Sequence, residues 1–185
     1  MNRLNNVMII DTETGGLDPL KHSLMTIGLV SGDGLKQLEI TVAEPQIISD
    51  PRALAVNRLD PAVVAANGVS PEQACEQVDA FLNQVHPDGR PMVCGHNVAF
   101  DLAFMRRLYT MVGRPVPQCF SHRTLDTHSL MWGLIAVGRL PAHVTGSDAA
   151  FAHFDIEPPS ELRHTALGDA VATRDLLEHL LDRLE

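Results

Sequence analysis

Two carboxylates spaced i, i+2, Asp11 and Glu13, stand at the end of the apolar run Val7-Met8-Ile9-Ile10 and just before Gly15-Gly16. The run reads as a buried strand in the middle of a sheet. In an extended chain residues i and i+2 point to the same side, so the two carboxylates aim at one point. Side by side they repel unless a proton or a cation sits between them. A hard divalent cation such as Mg²⁺, which takes oxygen ligands, meets that need. The plainer reading of this stretch alone is a strand running out into a polar turn, with both acids solvated and unrelated.

Two further acids and a histidine occupy telling positions. Asp101 falls in the first turn of a helix, three residues after Val98 and four before Met105, so it flanks the buried stripe. Asp169 lies near the start of the last helix. Either acid also complements the positive end of its helix dipole, which is the simpler reading of each alone. His164 precedes Asp169 by five residues, in a loop. Taken singly it is an ordinary surface or hydrogen-bonded histidine.

The elements that must position these groups follow from pattern. Residues 24–30 read as a second strand, Asp33-Gly34 as a hairpin turn, and Leu38, Ile40 and Val42 as the buried face of a third strand. Residues 45–67 are expected to make short helices bridging the sheet, with the Ala/Val-rich part over 59–66 serving as packing. Ser70-Pro71-Glu72-Gln73 is a helix start with a capping box. Met92-Val93-Cys94 is a short strand, and a helix from about Val98 follows, with Leu102, Met105, Tyr109 and Val112 buried. Residues 123–125 read as a fifth strand, with Asp126 capping an apolar helix that runs to Val137. A short helix over 147–154 leads to the last helix, 165–184, whose Leu167, Val171, Leu177, Leu180 and Leu184 are expected to face the core. Three consecutive strands followed by two helix-separated strands predict an α/β fold. Its mixed five-stranded sheet has an antiparallel and a parallel part, flanked by helices. The carboxyl end of the first strand is then the expected place for a site.

Composition narrows the function classes. A length of 185 residues is that of one ordinary domain, expected to span 1–185 without a linker. The net charge of −9 argues against a broad basic surface that would hold nucleic acid by charge alone. Metal ions in an acidic site would supply that attraction instead. Cys75, Cys94 and Cys119 form no CxxC pair, which suggests free thiols and a reducing compartment. The first apolar run is short and stops on Asp11, unlike a signal peptide, and the uncharged stretch 130–138 is too short to span a bilayer. A soluble cytoplasmic protein with no membrane partner is the expectation.

In order, the chain carries Asp11-Thr12-Glu13-Thr14-Gly15-Gly16-Leu17, then His96-Asn97-Val98-Ala99-Phe100-Asp101, then His164-Thr165-Ala166-Leu167-Gly168-Asp169. This set resembles the three motifs of the DEDDh 3′–5′ exonucleases, the family that includes proofreading exonuclease subunits and RNA-trimming ribonucleases. Asp18-Pro19 and Ile27-Gly28 look like the family too, whereas Thr14-Gly15-Gly16 stands where several proofreading members have Thr-Thr-Gly.

The resemblance implies a ribonuclease H-like sheet and hydrolysis of phosphodiester bonds at the 3′ ends of single-stranded DNA or RNA, with release of 5′-mononucleotides. It implies two ions, Mg²⁺ or Mn²⁺, per site. Asp11, Glu13 and Asp169 would hold one ion, with Asp11 bridging to a second supported by Asp101. His164, with an unperturbed pKa near ~6.5, would act as general base. Beside the acids, the Thr14 and Gly15 backbone is placed to bond a terminal 3′ hydroxyl, glycine permitting the approach. Leu17 and Phe100 are either wedges against the last bases or core residues. Asn97 either binds substrate or caps its helix, the cap being the simpler reading. A homodimer or a larger replication, repair or RNA-processing assembly stays open, as do two other functions: a ribonuclease H-like endonuclease, and a non-catalytic nucleic-acid-processing subunit.

Overall fold

The computed structural model describes residues 3–87, 90–120, 123–157 and 165–185. The chain opens with strands β1 (Val7–Thr14), β2 (Leu24–Ser31) and β3 (Gln37–Thr41). Helices α1 (Pro51–Asn57), α2 (Pro61–Asn67) and α3 (Pro71–Val85) come next. Strand β4 (Met92–Gly95), helix α4 (Ala99–Met111), strand β5 (Thr124–Asp126) and helices α5 (Thr127–Ala136), α6 (Ser147–His153) and α7 (Ala166–Asp182) complete it.

The strands form one five-stranded sheet in the order β3-β2-β1-β4-β5. β1 pairs antiparallel with β2, and β2 with β3; β1–β4 and β4–β5 are parallel. The mixed sheet expected from the pattern is the one formed. β1 is central because Val7 to Ile10 are all buried, and alternation sends them to two different cores. Met8 and Ile10 join the cluster built with α3 and α4, including Leu102 and Met105. Val7 and Ile9 join Ala170 and Leu177 of α7 on the other face. Asp11 and Glu13 continue the α7 face beyond the apolar run, and Thr12 continues the α4 face.

The helix starts follow local chemistry. Asp50 and Asp60 cap α1 and α2, each with proline at the first helical position, and Ser70 and Gln73 form both bonds of the capping box on α3. Asp126 caps α5 by accepting from the amides of His128 and Ser129, as its position predicts. Thr165 caps α7 through the Gly168 amide.

Two expectations about packing are corrected. Within 59–66 only Val64 is buried, because α2 lies on the surface and presents one residue per two turns inward. On α7, Leu177 and Leu180 are buried but Leu184 is 49% exposed, since it lies past the helix end. Small residues take much of the buried stripe instead (Ala166, Gly168, Ala170, Ala172), which lets α7 approach the sheet closely.

Candidate active site

Close approach of α7 is what assembles the site. Gly28 of β2 sits opposite Asp11 of β1. A Cβ on Gly28 would lie 2.2 Å from the Ala166 carbonyl oxygen, so only glycine lets the first turn of α7 rest there. That contact carries Asp169, three residues on, to the end of β1. Carboxylate oxygens of Asp11, Glu13 and Asp169 lie within 4.8 Å of one another. The sequence-predicted triad is therefore brought together by geometry. Local spacing on β1 pairs Asp11 with Glu13, and tertiary packing of α7 adds Asp169.

Asp101 arrives from the opposite face. It is 3% exposed on α4, and its Oδ1 accepts a hydrogen bond of 2.7 Å from Thr12 Oγ1. It stands outside the tight group of three, yet close enough that its charge raises the pKa of Asp11.

The electrostatics follow from burial and crowding. Burial, then the charges of Asp101, Glu13 and Asp169, hold the Asp11 carboxyl well above the usual carboxylate range. Glu13 is pushed up to about 8, by burial first and then by Asp169, while a bond from the Asn57 side chain works the other way. Asp101 is pushed up to about 7 by burial, opposed by its bond from Thr12. Acids so raised at neutral pH bind either protons or a cation. An oxygen-only donor set of this size fits a hard divalent ion such as Mg²⁺ or Mn²⁺.

The acids open into a cleft of about 300 Å³, walled by Val56 of α1, His96 after β4, and Phe151 of α6. Ser147, Asp148 and Thr173 complete its lining. Among the remaining sequence-predicted residues, His164 lies outside the described residues. Thr14 is buried, with its hydroxyl on the Gly16 carbonyl and its own carbonyl accepting from Asn57 Nδ2 at 3.0 Å. The Gly15 amide donates to Ser23 O (2.8 Å) and its carbonyl accepts from Asp50 N (2.6 Å). The close approach that glycine permits at 15 is made by the Ile48 carbonyl oxygen, which would lie 2.2 Å from a Cβ at that position. Leu17 is 84% exposed and takes no part in the core. Phe100 is half-buried, packs against the α3–α4 core and lies 5.0 Å from the Phe104 ring.

Asn97 does not cap α4. It is exposed in the left-handed region with φ 59, Val98 occupies the cap position, and no side-chain cap bond is formed. The Asn97 amide instead donates to Asp126 Oδ1 at 3.3 Å, so the β5–α5 junction holds the β4–α4 turn.

Sequence reasoning missed Thr12, Asn57 and the role of His96 as a wall of the cleft. Thr12 and Asn57 find their partners 89 and 43 residues away, with no local signal. His96 had one, since it follows a parallel strand at its carboxyl end, where sites in open α/β sheets collect.

The sheet order β3-β2-β1-β4-β5, flanked by helices, defines an α/β protein with a mixed sheet whose acids gather at the carboxyl end of the central strand. The family model RNase_T, described as "Exonuclease", matches residues 8–177, and the chain belongs to that family. It is 29% identical over 183 residues to a DNA polymerase III subunit epsilon-like protein of Rhodobacter capsulatus, an alignment covering 96% of this chain but only 24% of that protein. An oligoribonuclease of Vibrio cholerae is 28% identical over 137 residues, covering 68% of this chain and 72% of the relative. The solved nuclease domain of 3′hExo, a DEDDh family member bound to rAMP, superposes with a TM-score of 0.74 over 97% of this chain and 93% of that one. At 11% identity that likeness concerns the fold. None of the described helices is long and apolar enough to cross a membrane.

Proposed function

We propose that the chain is a divalent-metal-dependent 3′–5′ exonuclease that removes 5′-mononucleotides from single-stranded DNA or RNA. The observation that carries this reading is the meeting of Asp11, Glu13 and Asp169 within 4.8 Å in a chain of the exonuclease family. A pair of ions, when bound, supplies stabilisation of the charge on the attacking and leaving oxygens. Asp11, Glu13 and Asp169 would hold one ion, and Asp11 with Asp101 the other. Thr12 keeps the Asp101 carboxylate oriented through its 2.7 Å bond. His164 would take the proton from the attacking water.

On the substrate side, exposed Leu17 is free to wedge against the terminal base, and Asn97, released from capping, faces solvent at the mouth of the helix. The half-buried Phe100 would offer only a ring edge. Thr14 and Gly15 would meet the 3′ hydroxyl through whatever backbone capacity their internal bonds leave. The epsilon-like and oligoribonuclease relatives support a DNA or an RNA strand respectively, and the rAMP-bound neighbour supports a site sized for one nucleotide. The same reading takes 1–185 as one exonuclease domain, which the single sheet joined by all described strands supports.

The test is incubation with 5′-end-labelled single-stranded DNA and RNA of equal length, with Mg²⁺ or with chelator. A ladder shortening from the 3′ end, present only with metal, is the expected result. A 3′-phosphate should slow it. Cutting of circular single strands would replace this reading with an endonuclease.

A further inference from the structure

A line of aromatic rings leads out of the acid cleft. His96 walls the cleft, its Nδ1 3.0 Å from the Thr127 hydroxyl, and its ring meets His128 edge-on at 5.4 Å between centroids. One turn further along α5, Trp132 meets His128 at 6.4 Å, so the outer two rings are no more than about 12 Å apart. Trp132 is the only tryptophan of the chain and is 50% exposed. Its indole Nε1–H donates to His128 Nε2 at 3.2 Å. The polar edge of the indole is thereby satisfied and its plane fixed, which leaves an apolar face for an incoming group.

The surroundings favour a nucleic-acid strand over other occupants. In a chain with 23 acidic residues, α5 (Thr127–Ala136) contains none, and the one carboxylate at its start, the cap Asp126, is taken up by the amides of Asn97, His128 and Ser129. The exposed positions of α5 beside Trp132 are Ser129, Gly133 and Ala136, small and uncharged, and a Cβ placed on Gly133 would point into open space. At ~3.4 Å per stacked nucleotide and roughly twice that when unstacked, the span from His96 to Trp132 corresponds to about two to four nucleotides.

We propose that Trp132, held by His128, is a stacking platform for a base about two to four nucleotides upstream of the 3′ terminus, and so sets the length of strand the enzyme grips. The inference rests on the exonuclease reading above. Base–aromatic stacking is indifferent to sequence, so the platform confers a preference for length rather than for base.

Because Trp132 is the only tryptophan, its fluorescence reports this site in the unmodified chain. Oligothymidylates of two and six residues are titrated into the protein in chelator, with fluorescence anisotropy of a labelled hexamer followed in parallel. Steady-state hydrolysis of both lengths is then measured with Mg²⁺ for the wild type, Trp132→Ala and Trp132→Phe. The hexamer should quench the emission and the dimer should not. Trp132→Ala should raise the hexamer KM by about 5- to 150-fold, the range expected for one base–aromatic stack, and Trp132→Phe should recover part of it. Hexamer binding or hydrolysis with unquenched emission and an unchanged KM in Trp132→Ala would overturn the platform while leaving the nuclease intact. Emission that shifts when the protein alone is diluted would make Trp132 a contact between copies and overturn it as well. Absence of both binding and hydrolysis in the wild type would overturn the nuclease reading together with this one.

Discussion

At the end of β1 the chain holds carboxylates on two faces of one sheet, and the two faces settle the resulting repulsion differently. On the α7 face, Asp11, Glu13 and Asp169 crowd within 4.8 Å, and burial, the charge of Asp101 across the strand and their own mutual charge raise the pKa of Asp11 and Glu13. On the α4 face, Asp101 is still more deeply enclosed, yet the Thr12 hydroxyl bonds it at 2.7 Å and favours its charged form. Adjacent residues of one strand thus do opposite things. Asp11 and Glu13 join a cluster that calls for a cation, while Thr12 between them stabilises an acid on the far side. Buried acids are therefore not equivalent: one group is held in a costly proximity that a metal relieves, and the other is held in place by the fold.

The largest expected effect comes from breaking the crowded face. Asp169→Asn should lower turnover by roughly 10³-fold or more, at or above the loss of one preorganised electrostatic group. The same variant removes a repelling charge, so in chelator at pH 8 it should melt at the same or a higher temperature than the wild type. Loss of activity with loss of stability would erase the distinction between the faces. His164→Ala is next: a general base contributes ~10²–10⁴-fold, and the variant should lose that much rate and flatten the acid limb of the pH–rate profile. Near wild-type turnover with an unchanged limb would hand the proton to another group.

Thr12→Val sharpens the contrast from the other side. Removing the donor leaves a buried carboxylate oxygen without that bond, at a cost of about 1–3 kcal/mol, or a fall in Tm of roughly 2–12 °C. The bond favours the charged form of Asp101, whose pKa lies at about 7. The loss should therefore be greater at pH 8 than at pH 5, and an equal loss at both would mean that Thr12 acts only by packing.

The smallest effect is a slope. Glu13 and Asp11 are raised in the folded protein, so between the unfolded carboxylate range and about 8 the native state binds more protons than the unfolded one. Stability of the metal-free protein should then fall as pH rises through that window. Glu13→Gln should make the fall shallower, and a melting temperature that rises over the same window would contradict the assigned shifts.

How much of this was legible in the sequence depended on whether a residue's role was local. Asp11 and Glu13 could be read because strand periodicity alone sends i and i+2 to one side, and Asp126 because a cap bonds its own helix. The division of the sheet into an antiparallel and a parallel part followed from which strands are separated by helices. Asp169 could be placed in the first turn of α7, but its meeting with Asp11 depends on Gly28 admitting the Ala166 carbonyl, a contact between residues 138 positions apart. The pairing of Thr12 with Asp101 and the support of Thr14 by Asn57 are likewise tertiary. Asn97 misled because asparagine before a helix usually caps it, whereas here its left-handed backbone and the Asp126 carboxylate shape the turn instead. Leu184 misled because helical periodicity continues past the point where α7 stops.

We take Asp11, Glu13 and Asp169 together to form a divalent-cation site in which Asp11 and Glu13 hold protons when metal is absent. Calorimetric titration of the metal-free protein with Mn²⁺ at pH 7, repeated in two buffers of different ionisation enthalpy, tests this most directly, because an ion entering such a site must displace protons. Saturable binding accompanied by proton release is expected, with affinity strongly reduced in Asp169→Asn and largely retained in Thr12→Val. Binding without proton release, or binding that Asp169→Asn leaves unchanged, would contradict it.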